Sequence, residues 1–79
     1  MDCYTVMNII DEADEFDVIK IDASDYRYVF KKEDIIDFTE EYDNIVSIFY
    51  NVKQFGEHTR KEKLYINIDR IIAIIKVVE

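Results

Sequence analysis

LYINIDRIIAIIKVVE, residues 64–79, is the most apolar part of the chain, and its reading decides the fold. Leu64, Ile66 and Ile68 alternate with Tyr65, Asn67 and Asp69, the period of a strand with one buried face. After a break at Asp69-Arg70, two readings compete for Ile71 to Val78. Ile68, Ile71, Ile72, Ile75 and Val78 fit one face of a helix. As a strand, Ile71, Ala73, Ile75 and Val77 line one side, while Ile72, Ile74 and Val78 line the other. Isoleucine and valine are stiff at χ1 and favour extended backbone, so strand is the expectation. Both faces then want cover. That points to a central strand beneath a helix, or to a dimer seam.

An echo supports the strand. Val29 to Phe38 (VFKKEDIIDF) has the outline of Tyr65 to Ile74 (YINIDRIIAI), 36 residues later. Each runs strand, acidic break, paired isoleucines, apolar residue. Physically this is strand, tight turn or single 3₁₀ turn, strand. It is too short to establish duplication, but it suggests a strongly bent sheet. The chain has no proline and one glycine, Gly56, so its turns must rely on Asp, Asn and Ser.

Working outward, Cys3, Val6, Met7, Ile10, Ala13 and Phe16 recur at three- and four-residue steps. The spacing predicts a helix over residues 4–16, with Asp2 or Thr5 as its cap. Two features oppose it. Asp11, Glu12, Asp14 and Glu15 sit toward the helix C-terminus, where the macrodipole disfavours them. Tyr4 to Ile10 also carries enough β-branched and aromatic residues for a strand. Asp17 to Ala23 reads as a strand, followed by a turn at Ala23-Ser24-Asp25. Tyr26 to Lys31 is a strand with Tyr26, Tyr28 and Phe30 on one face. Ile35 to Thr39 resumes after Lys32-Glu33-Asp34, and residues 40–44 form a polar turn. Asn44 to Lys53 is a strand with Val46, Ile48, Tyr50 and Val52 on one face. Lys53 to Lys63 reads as a long hairpin connection or a frayed pair of strand ends.

The expected fold is therefore α+β and a single domain, residues 1–79. An N-terminal helix packs on a bent, mostly antiparallel sheet of five to six short strands. Its sharper form is a partly open barrel of the SH3-like kind. Seventy-nine residues give one modest core and a narrow stability margin, so oligomerisation is plausible. Fourteen isoleucines against one leucine fit either β structure or an AT-rich genome, such as that of a low-GC bacterium or its phage.

Chemistry is hard to find. The lone Cys3 allows no intrachain disulfide and no cysteine-based zinc site. The sole histidine, His58, sits in the polar connection beside no nucleophile motif. Residues 11–22 lack the glycine and glutamate of a calcium loop. One glycine cannot build a phosphate-binding loop. The expectation is a non-enzyme with no metal and no cofactor. The N-terminus carries no basic leader pattern, and the longest apolar run is far below the ~20 residues of a membrane span. A cytoplasmic protein without membrane contact is the simplest reading.

Charge carries the functional colour. The net charge is −8. Residues 1–43 hold −10 of it, and residues 44–79 hold +2. Such a surface repels nucleic acid and favours a partner with a basic surface. Asp11, Glu12, Asp14, Glu15, Glu33, Asp37, Glu40, Glu41 and Asp43 are the candidate partner-binding carboxylates. Tyr26, Tyr28 and Tyr42 are the candidate apolar anchors beside them, since tyrosine is rich at interfaces. Rows of carboxylates on a small rigid domain can fill a nucleic-acid-binding groove. In size and charge the chain resembles the small acidic proteins that phages direct against host enzymes, defence nucleases included. That resemblance implies an inhibitor acting by nucleic-acid mimicry. The alternative is an assembly subunit, such as a homodimer, that self-associates through its Ile- and Tyr-rich strands.

Overall fold

A computed structural model describes residues 2–53 and 59–78. Helix α1 spans Cys3–Asp11. Six strands follow: β1 (Val18–Ala23), β2 (Arg27–Lys31), β3 (Ile35–Tyr42), β4 (Ile45–Lys53), β5 (Thr59–Asn67) and β6 (Ile71–Val77). They form two three-stranded antiparallel sheets, ordered β2-β1-β6 and β3-β4-β5. The α+β expectation holds, with a difference in the sheet: two sheets replace a single bent one. No strand pairing among the described residues closes either into a ring.

The echo marks the passages between sheets. Single 3₁₀ turns, Lys32–Asp34 and Ile68–Arg70, join β2 to β3 and β5 to β6. The chain leaves the first sheet at one and returns at the other. Backbone hydrogen bonds pin both corners. Lys32 N donates to Asp17 O, Ile68 N to Asn44 O and Ser24 N to Arg70 O, each at 2.9 Å. The second corner is also capped, because Asn67 Oδ1 accepts from Asp69 N at 2.9 Å. Polar caps and cross-turn bonds here replace the glycine and proline that such bends often use.

The core has three walls. Cys3, Val6 and Ile10 come from α1, Ile19, Ile21 and Phe30 from the first sheet, and Phe38, Val46, Ile48 and Ile66 from the second. Each set follows its element's period, 3.6 for the helix and 2 for the strands. Ile68 enters from the second corner.

Three placements differ from the sequence expectation, each for a physical reason. The helix stops at Asp11, because four carboxylates over residues 11–15 oppose the C-terminal end of its dipole. Phe16, assigned to the helix face, is instead exposed. The expected polar turn over 40–44 shrinks to Asp43-Asn44, since β3 runs on to Tyr42 with bulges at Ile36 and Glu41. Residues 59–63 are strand, paired through Lys53↔Thr59, in agreement with the strand-end reading of that stretch, and the rest of it, with Gly56 and His58, lies outside the described residues. Finally, β6 is an edge strand rather than a central one. A bulge at Ile72 breaks its alternation, so Ile71 and Ile74 both pack on the core while Ile72 is exposed.

Candidate interaction surface

Charge is segregated around α1. Residues 1–19 contain no Lys or Arg. Asp2 caps the helix, accepting from Thr5 N at 2.8 Å, and that bond holds its carboxyl below the ordinary value. At the other end, Asp17 is buried and folds the chain back, with its Oδ2 accepting from Asp14 N at 3.0 Å. That turn leaves Asp11, Glu12, Asp14 and Glu15 in solvent.

Two carboxylate groups result. Glu15 and Glu33, distant in sequence, share a depression with Phe16, Val18 and Lys31. At the helix N-terminus, Asp2, Glu40, Asp43 and Asp69 surround Cys3 and Tyr4. Burial pushes the Cys3 thiol up, and the charges of Glu40, Asp2 and Asp43 push it further. A nine-residue helix, about 13 Å long, separates the two ends.

Apart from the Glu33–Lys53 contact, the ion pairs lie elsewhere. They join Asp22 to Arg27, Glu33 and Asp34 to Lys53, Glu62 to Arg60, Glu41 to Lys63, and Asp25 to Arg70. Among the described residues Asp11, Glu12, Asp14, Glu15, Glu40 and Asp43 have no cationic partner. Two other carboxylates serve the fold. Asp37 accepts from Phe38 N and from Thr39 Oγ1. Glu41 accepts from Ser47 and Lys63, and the Lys63 contact holds its carboxyl below the ordinary value.

The candidate tyrosines do not join the two carboxylate groups. Tyr26 and Tyr28 meet in a tilted arrangement at 4.8 Å between centroids and line an open groove of about 420 Å³ with Phe30, Tyr50 and Leu64. It lies between β2, an edge strand, and the second sheet. Phe30 meets Tyr50 edge-on at 4.9 Å. Tyr50 Oη donates to Glu62 Oε1 at 3.1 Å, and burial, then this bond, pushes its phenol up. Tyr42 stands apart and exposed at the end of β3. Phe30, Tyr50 and Leu64 were not among the sequence candidates. Strand alternation put Phe30 with Tyr26 and Tyr28 on one face and Tyr50 with Val46 and Ile48 on another, but their meeting across two sheets needed the topology.

Among the described residues, no three His, Cys, Asp or Glu side chains are arranged to hold a metal ion, and no helix is long and apolar enough to cross a membrane. Compared with protein families, with curated proteins and with solved structures, the chain matches none.

Proposed function

We propose that the chain is a small non-enzymatic interaction module that binds a protein with a basic surface through the α1 flank. One observation carries the reading. The carboxylates of α1 and its following turn have no cationic partner among the described residues, while the ion pairs of the fold lie on other elements. A field left uncompensated on one side steers a basic partner and speeds its encounter. The sharper form is an inhibitor that occupies a nucleic-acid-binding groove, as phage anti-defence proteins do. Carboxylate groups at both ends of a rigid helix support it. Two sheets exchanging strands at two 3₁₀ corners also support reading the frame as a partly open, SH3-like barrel.

The test is affinity capture from a host lysate with the whole chain as bait. The expected catch is a basic nucleic-acid-binding protein, released as salt approaches roughly 1 M, where the Debye length falls to about 3 Å. A quadruple variant, Asp11→Asn, Glu12→Gln, Asp14→Asn and Glu15→Gln, loses it. Full retention by that variant overturns the reading.

A further inference from the structure

We propose that β6 pairs with β6 of a second copy, antiparallel about a two-fold axis at Ile75, joining the two β2-β1-β6 sheets into one of six strands. This goes beyond the acidic-flank reading, on which only the exclusion of a basic occupant rests.

The observations begin with the edge. β6 hydrogen-bonds to β1 on one side and to no described strand on the other. Edge strands are commonly protected by charge, by proline or by cover. From Ile71 to Val77 the only charge is Lys76. Ile72 is 71% exposed, Val78 68%, Ile75 39% and Val77 36%. The outward face continues the patch, because Ile75 and the exposed Val29 flank Lys20, and Val77 lies opposite Val18.

The register follows from the bulge. Regular pairing with β1 covers Ala73 to Val77, between the bulge at Ile72 and the strand end. The midpoint of that regular edge is Ile75. A two-fold axis there sets Ile75 against Ile75 and Ala73 against Val77 of the second copy. Lys76 falls opposite Ile74, so the two lysines are not directly opposed. At the axis two β-branched side chains face one another, a favourable cross-strand pairing. The contact uses the same residues from both copies and closes on itself, which ends growth at two.

Charge selects the occupant. A basic partner is drawn to the α1 flank rather than to a strand bearing one lysine. Any acidic partner, a second copy included, meets the repulsion of a net charge of −8, so only one that offers an almost uncharged, register-matched strand can seat on this edge. A second copy meets β6 as an almost uncharged strand against another. Its remaining penalty is long-range repulsion, which salt screens.

The test is sedimentation equilibrium of the whole chain at low and high salt. The expected result is a monomer–dimer equilibrium around the 9.5 kDa chain, tightened by salt. The acidic-flank complex responds to salt in the opposite sense, so either reading can fail alone. Ile75→Lys opposes two lysines at the axis and weakens dimerisation by about tenfold or more. Circular dichroism verifies that this variant stays folded. Should it unfold, cysteine variants decide: with oxidised glutathione, Ile75→Cys forms a disulfide-linked dimer and Lys76→Cys does not. A monomer at every salt and concentration overturns the proposal. So do assemblies that grow past two, a dimer indifferent to Ile75→Lys, or cross-linking at 76 equal to that at 75.

Discussion

Ser47 Oγ donates to Glu41 Oε1 at 2.9 Å, from a position only 2% exposed. Lys63 Nζ reaches the same oxygen at 2.8 Å and also lies over the Tyr65 ring at 5.5 Å. Three strands of the second sheet are thereby tied on the face away from the core. The β3 bulge at Glu41 makes this possible, turning an extra carboxylate over its neighbours.

The Glu41 carboxyl is held below its ordinary value, first by Lys63 and then by Ser47. A depressed carboxylate pKa contributes stability above its unfolded value, and that contribution is lost as pH falls through the folded value. Glu41→Gln therefore melts below the parent at pH 7. The gap closes in acid, below the ordinary glutamate range, where the parent carboxylate is protonated too. Thermal melts across pH measure this. A gap of constant size would show that packing, not charge, holds the bulge.

Ile48 faces Phe38 on one side and Leu64 on the other, fully buried in the central strand. Ile48→Ala should cost about 2–5 kcal/mol. A chain of this size has only about 4–12 kcal/mol to lose. Ile72→Ala, at the exposed bulge, should stay within about 0.5 kcal/mol where the chain is monomeric. Urea unfolding of both variants checks the contrast.

Periodicity placed much of this in advance. The β2 face was legible because that strand has one buried side, and alternation reports it directly; in β4 alternation found Val46 and Ile48. Both corners were legible because an acidic break between apolar runs repeats in the echo. The position of β6 was not. Its composition suits a buried central strand, and one edge of it is open. Nothing local distinguishes the two, since edge or centre is fixed by which strands pair across the chain. Ser47 shows the same limit. A serine on the outward face reads as wet, and only the β3 bulge explains its burial. Among the site candidates, burial cannot be read from a carboxylate's identity. Asp11 and Asp14 proved open while Glu41 is engaged, because a bulge and a facing lysine come from other strands.

The two corners predict an asymmetry. Asn67 caps the second 3₁₀ turn through its side chain, whereas Lys31, in the equivalent place before the first, makes no such bond. Asn67→Ala should lose about 1 kcal/mol, the usual worth of a cap. Lys31→Ala should be close to neutral. Equal losses in denaturant melts would mean that the cross-turn backbone bonds hold both corners alike.

Cys3 offers a direct probe of the acidic helix terminus. Its thiol is buried in the first turn of α1, 3.9 Å from the Asp43 carbonyl oxygen that its Sγ–H faces. Burial raises its pKa, and Glu40, Asp2 and Asp43 raise it further. The thiolate is the reactive form, so both access and ionisation oppose reaction in the folded chain. Alkylation by iodoacetamide near pH 8 should be slow in buffer and rapid in denaturant. Neutralising the two carboxylates that do not cap the helix, by Glu40→Gln with Asp43→Asn, separates the causes. The thiol pKa, followed by thiolate absorbance, should fall toward the ordinary cysteine value without reaching it, because burial is the larger contribution. If alkylation of the folded chain were as fast as in denaturant, the thiol would have to open to solvent readily, and α1 would pack far more loosely than the burial of Cys3 and Ile68 requires.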